Sequence, residues 1–405
     1  MAIDLQARTQ AGARLVAIAE QLAGNLAARA AEHDRDRTTP VEAIAALKAA
    51  GYFAAPIPVH LGGLGVSSAH DLVVASSRLA RGDASIAIGV NMHIVAVLNM
   101  ERRRAVAAAA GGERRAAAFA ASLEEIARSG AVLAAAISEP RQDLTRPGTR
   151  ATRTESGWRI DGRKVFCTMS SAATDLYVAV TYADGDGVDR YAYAMVPADA
   201  AGVVIHDDWD GLGMRASGSH SVSFAGVTLP EHAVRGGFPA GDPLPYIERN
   251  LVSGLFHAAA SLGIAESADA SARRGLAGRI NGDARPRMQV ADNAVDLAAS
   301  RGVLSRAASL IDEHRAANPA SDGDPDALHA LFAEAQAAKV FVNEAAARIV
   351  DRALALSGGA GYVDGSALAR AYRDVRAGSF MHPLGANRAY DYLGRVALGE
   401  EASLH

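Results

Sequence analysis

The chain has 405 residues, 50% of them hydrophobic and 21% charged, a length and balance that suit an ordinary globular protein of two or three domains. A formal net charge of −4, with arginines scattered rather than blocked, leaves no basic patch for nucleic acid or an anionic membrane. The single cysteine, Cys167, excludes an intrachain disulfide and fits a cytoplasmic protein.

The opening Met1-Ala2-Ile3-Asp4-Leu5-Gln6 lacks a basic start ahead of an apolar core, so no signal peptide is expected. Residues 1–130 carry helical periodicity, with Leu15, Ile18, Ala19, Leu22 and Leu26 on one face. Thr39-Pro40-Val41-Glu42 reads as a helix start with Thr39 as N-cap. That helix ends at Gly51, a glycine-rich turn follows at 61–65, and Ser67 or Ser68, then Asp83 or Ser85, open the next two helices. No apolar run approaches the roughly 20 residues that span a bilayer. The longest, at 86–97 and 251–264, contain Asn91, His93, Ser253 and His257 and read as buried helices.

Residues 131–238 change character. Short strand-like runs recur at 131–137, 150–154, 176–182, 191–196, 203–206 and 221–224, and Asp161-Gly162 gives a hairpin signal. Short runs with turn signals every ten residues or so indicate an antiparallel β-domain. Residues 239–405 return to helix: a broad apolar stretch from 251, long helices at 297–311 and 328–356, a break at Gly358-Gly359-Ala360-Gly361, and a last helix near Asn387. The class is therefore α+β, mainly α, with domains at 1–130, 131–238 and 239–405.

Four motifs carry more than fold. Ser138-Glu139-Pro140 is followed 28 residues on by Phe166-Cys167-Thr168, then by Gly211-Leu212-Gly213-Met214-Arg215, and later by Gly358-Gly359-Ala360-Gly361 with Arg373-Asp374 behind it. In this order they resemble the acyl-CoA dehydrogenase superfamily of flavoproteins. The resemblance implies a helical N-terminal domain, a central antiparallel β-domain, a C-terminal four-helix bundle and a homotetramer. It also implies FAD as cofactor, with FMN as the alternative. Ser138 and Thr168 would place hydroxyls near flavin N5 and O4, where charge develops on reduction, and Phe166 would cover the ring face. Gly358 and Gly359 would approach flavin across a subunit interface. Arg215 and Ser219 are expected to fix loop geometry, and Cys167 to pack inward, opposite to its neighbours on the strand. No metal site is expected.

The departures from that family are as informative. The glutamate that removes the substrate α-proton is replaced by His382, followed by Pro383-Leu384. The other position that some members use for a glutamate holds Ser253, and Glu248 lies on the wrong face. A cofactor-contacting glutamine is Ala355, the loop after Glu139-Pro140 is cut to Arg141-Gln142, and an Arg-x-x-Phe-Gly motif is replaced by Arg273-Arg274-Gly275-Leu276-Ala277-Gly278-Arg279.

A histidine at 382 is similar to what flavin monooxygenases of this fold have, since imidazole titrates near neutrality and serves as donor or base. His93, in Val90-Asn91-Met92-His93, is a second candidate for that role. The favoured reading is a monooxygenase acting on a small molecule with reduced flavin from a separate reductase. The alternative is a dehydrogenase of acyl thioesters that passes electrons to an electron-transfer flavoprotein, with His382 as base. A third is a catalytically silent flavin-binding partner subunit.

Overall fold

The computed structural model describes residues 4–140, 143–276 and 284–404; the shortened loop at Arg141-Gln142 and the end of the motif at 277–279 lie outside them. The chain opens with α1 (Gln10–Asp36), α2 (Val41–Ala49), α3 (Ala69–Ala80), α4 (Ala84–Ala109) and α5 (Glu113–Ser129). Side-chain caps set three of these starts: Thr9 accepts from the Gly12 amide, Ser68 from the Asp71 amide, and Asp83 from the amides of Ser85 and Ile86. Thr39 does not cap α2 as expected. Pro40 takes the cap position without a side-chain bond, and the Thr39 hydroxyl pairs with Ser171 Oγ at 2.5 Å. Glu42 turns back to His33 and Arg29. The local capping pattern yields to contacts across the chain.

Eight strands follow: β1 (Leu133–Ala136), β2 (Arg150–Thr154), β3 (Gly157–Cys167), β4 (Asp175–Ala183), β5 (Asp189–Pro197), β6 (Val203–Ile205), β7 (His220–Pro230) and β8 (Val234–Pro239). They form one sheet in the order β6-β7-β3-β2-β4-β5-β8, with β1 beside β4. Its ladders are antiparallel except that β1 and β2 both meet β4 in parallel. Asp161-Gly162 is not a hairpin turn. It lies inside β3, where the register against β7 slips between Ile160 and Gly162. Gly162 has φ 156°, and a Cβ there would meet Thr149, so the dipeptide makes a bulge. The β2–β3 hairpin turns instead at Glu155-Ser156.

The rest is helical: α6 (Pro243–Asn250), α7 (Ser253–Leu276), α8 (Arg285–Ala317), α9 (Pro325–Ser357), the short α10 (Gly359–Tyr362) and α11 (Ala367–Asp374), and α12 (Ala386–Leu398). Over residues 254–265 helix α7 is almost entirely apolar, and it is buried between α3, α4, α8 and α9. Two segments, Ala84–Ala109 and Pro243–Leu276, are long and apolar enough to cross a membrane, yet 83% and 94% of their apolar windows are buried inside the protein. They are core helices. One apolar core runs through both helical parts and a second fills the sheet.

Candidate active site

Two strand ends bring the first motifs together. The Val165 amide donates to the Ser138 carbonyl at 2.9 Å, so the turn after β1 lies against the end of β3. Glu139 fixes that turn. Its carboxylate accepts from the Gly148 and Thr149 amides, from the Thr149 hydroxyl and, at 2.6 Å, from the Nζ of Lys164. Lys164 is fully buried on β3. Both groups are desolvated, but the lysine and the hydrogen bonds still hold the Glu139 carboxyl below its ordinary range.

This brace leaves Ser138 and Thr168 half-buried beside Phe166, which is 63% exposed. Phe166 has φ 56°, an uncommon conformation for a bulky residue and one that functional turns favour. Its ring meets Trp209 edge-on at 6.2 Å. The Thr168 hydroxyl accepts from Ser219 at 3.0 Å, and Ser219 pairs with Ser217. A free aromatic face beside two hydroxyls suits a planar heteroaromatic ring with polar edges, which is the chemistry of a flavin. Cys167 points the other way, fully buried, with its thiol pushed up to about 12 by desolvation.

His382 stands on the loop before α12. Its Nε2 lies 2.8 Å from Asn250 Oδ1 and 3.4 Å from the Tyr246 hydroxyl. Asn250 Nδ2 donates to the Tyr246 carbonyl at 2.8 Å, which orients the amide with Oδ1 toward the histidine. The imidazole is therefore the Nε2–H tautomer, and Nδ1 keeps its lone pair. Ser253 donates to Asn250 as well. Desolvation, aided by the nearby Lys339 ammonium, lowers His382 to about 3, so the ring is neutral at physiological pH. Lys339 itself is lowered to about 7 by burial.

Neither position expected to carry a family carboxylate does so, and Glu248 does not substitute. It is buried on α6 against Arg102 and Arg103. Ser253 had been singled out from the sequence, but Tyr246 and Asn250 escaped it; their i, i+4 spacing was the available signal.

His93 is a correction. It is fully buried, accepts at Nδ1 from the Leu133 amide at 3.0 Å, and donates from Nε2 to the Phe53 carbonyl at 2.9 Å. Burial lowers it to about 4. With both nitrogens held by backbone, it clamps α4 to β1 and offers nothing to a substrate.

The remaining motifs meet elsewhere. Gly213 passes so close to Arg373 and Asp374 that a Cβ would collide with their backbone. The Met214 amide donates to Asp374 at 2.6 Å, while Arg373 and Arg215 both reach Asp34. Arg215 thus fixes loop geometry as expected. Gly358 and Gly359 end α9 in open space, with no atom within 4 Å of a built Cβ at either. Among the described residues no group of three or more His, Cys, Asp or Glu could hold a metal.

Three family descriptions match the chain: the acyl-CoA dehydrogenase N-terminal domain at 15–102, middle domain at 134–227 and C-terminal domain at 246–387. Amino sugar nitrososynthase DnmZ of Streptomyces peucetius is 33% identical over 396 residues, covering 97% of this chain and 95% of its own. L-evernosamine nitrososynthase of a Micromonospora species is 35% identical, with 98% and 93% covered. The solved structure of KijD3 in complex with FMN and a dTDP-linked amino keto sugar is 31% identical, with a TM-score of 0.88 and 98% and 96% of the two chains covered.

Proposed function

Starting from the fact that this chain belongs to the acyl-CoA dehydrogenase family, we propose that it is a flavin-dependent monooxygenase that oxidises the amine nitrogen of a nucleotide-linked amino sugar. The relatives named as nitrososynthases support the substrate class. The observation that carries the reading is His382, a neutral imidazole with a free Nδ1 where a dehydrogenase of this family has a carboxylate. When bound, reduced flavin would supply the two electrons needed to split O₂, with one oxygen atom going to the substrate and one to water. Amine, O₂ and reduced flavin give hydroxylamine, water and oxidised flavin; a second round gives the nitroso compound and two waters.

The chain's own residues favour this chemistry over proton abstraction from carbon. An amine must be unprotonated to attack an electrophilic oxygen. A carboxylate would pair with the ammonium form and hold it; a neutral imidazole close to the Lys339 ammonium does not. Nδ1 accepts a hydrogen bond from the amine N–H and leaves the nitrogen lone pair free. Ser138 and Thr168 would hold the polar edge of the flavin, and Phe166 would cover its face. Gly358 and Gly359 would meet the flavin of a neighbouring subunit in a homotetramer. A separate cytoplasmic reductase supplies FMNH₂ or, alternatively, FADH₂.

The test combines the purified protein, flavin, a flavin reductase with its nicotinamide, O₂ and a dTDP-amino sugar, read by mass spectrometry. Gain of one oxygen atom is expected, lost in His382→Ala while hydrogen peroxide is still released. Oxidation of an acyl-CoA thioester with an artificial electron acceptor, and no oxygen transfer, would establish the dehydrogenase reading instead. Flavin binding with neither reaction would leave the silent partner subunit.

A further inference from the structure

Behind His382 lies a cluster of buried polar side chains, Lys339, Gln336 and His257, whose hold on the histidine loop the reaction above leaves unexplained. Lys339 stands in it on α9, 2% exposed. Its ammonium meets no carboxylate among the described residues and donates instead to the carbonyls of Met381 and, at 2.7 Å, Leu384. Those two residues bracket His382-Pro383. Burying an ammonium without a counter-ion disfavours the fold, so its placement calls for a reason. Both of the carbonyls it holds belong to the one loop that carries the histidine.

The surroundings are shaped for this contact. At Gly254 on α7 a Cβ would meet Lys339 Cδ at 3.2 Å, Pro383 Cδ at 3.3 Å and Gln336 Nε2 at 3.4 Å. The missing side chain lets the lysine stem and the loop lie together. Around them His257 Nδ1 and both side-chain polar atoms of Gln336 are buried without a partner among the described residues, and Lys339 is the side chain that reaches both carbonyls.

We infer that Lys339 is a positioning residue, which clamps the backbone on both sides of His382 and so keeps the ring against Asn250 with Nδ1 aimed at substrate. The inference rests on the proposed role of His382. A single nitrogen with three donors on a flexible stem can serve two carbonyls at once. Without it the loop is free to rotate, and the Nε2–Asn250 bond loses its support.

Nitrogen-15 NMR of the flavin-free protein, labelled at histidine and lysine and assigned with His382→Ala, reads this directly. At pH 5.5, where Lys339 is protonated and His382 neutral, the wild type should show His382 as one Nε2–H tautomer and Lys339 as a slowly exchanging ammonium. In Lys339→Met the His382 signals should become a mixture of tautomers, and in the flavin-loaded enzyme the ratio of peroxide released to substrate oxidised should rise about tenfold. Lys339→Gln, which keeps a donor, should fall between. An unchanged His382 spectrum in Lys339→Met would overturn the inference. So would a wild-type Lys339 ammonium in free exchange with water, which decides the matter even if the variants do not fold. A tautomer shift in a protein whose wild type transfers no oxygen would uphold the clamp and sink the monooxygenase reading.

Discussion

At the scale of single residues, the two histidines separate by what surrounds them. Both sit in apolar sequence, but His93 spends both nitrogens on backbone, whereas His382 spends one on Asn250. His93→Ala should strand the Leu133 amide and the Phe53 carbonyl and cost about 2–4 kcal/mol of stability, read by denaturant unfolding. A loss under ~1 kcal/mol would show that the clamp does not matter. Its pKa also has a consequence. The folded value is about 4, below the unfolded value near 6.5. The unfolded chain therefore binds the extra proton first, so this stability is complete above pH 6.5 and drains away as pH falls toward 4. His93 alone accounts for about 3 kcal/mol of that loss. His93→Gln should flatten the fall, and an equally steep acid transition would refute the assignment. The sequence made His382 visible because it broke a family pattern. It did not reveal Lys339, Asn250 or the fate of His93, since an apolar helix looks the same whether its polar residue meets backbone or substrate.

At the scale of elements, the helices were legible because apolar periodicity survives packing, and long helices such as α8 and α9 extend beyond the periodic cores read at 297–311 and 328–356. Short-range signals fared worse. Thr39 lost its capping role to Ser171, and Asp161-Gly162 makes a bulge because Thr149 occupies the space beside Gly162. The parallel pairing of β1 with β4 could not be read from alternation at all, since strand direction depends on partners far away in sequence. The Ser138 turn is held by Glu139 and Lys164 together. Lys164→Met should leave a largely buried carboxylate without its partner and destabilise by about 3 kcal/mol, with flavin affinity falling in parallel. Unaltered affinity and melting temperature would mean that the turn holds itself.

At the scale of the whole molecule, several of the exposed apolar side chains belong to the C-terminal segment after α9. Tyr362 and Phe380 are each 82% exposed, and Val363 is 62% exposed. Covering them in a homotetramer would also bring Gly358 and Gly359 beside another subunit. On the proposed homotetramer, Tyr362→Asp is expected to shift the mass measured by light scattering toward smaller species and to weaken flavin binding. A dispersed mass in the wild type at micromolar concentration would remove the basis for this arrangement.

The close passage of Gly213 beneath Arg373-Asp374 has one more consequence, for how such proteins can be recombined. The loop belongs to the sheet and the acceptor carboxyl to the last helices, 160 residues on, so neither can be inherited alone. A chimera that borrows its middle domain from a relative should fold only when residues 373 and 374 travel with it, and grafts cut at the apparent domain borders should fail even where every hydrophobic core is kept whole.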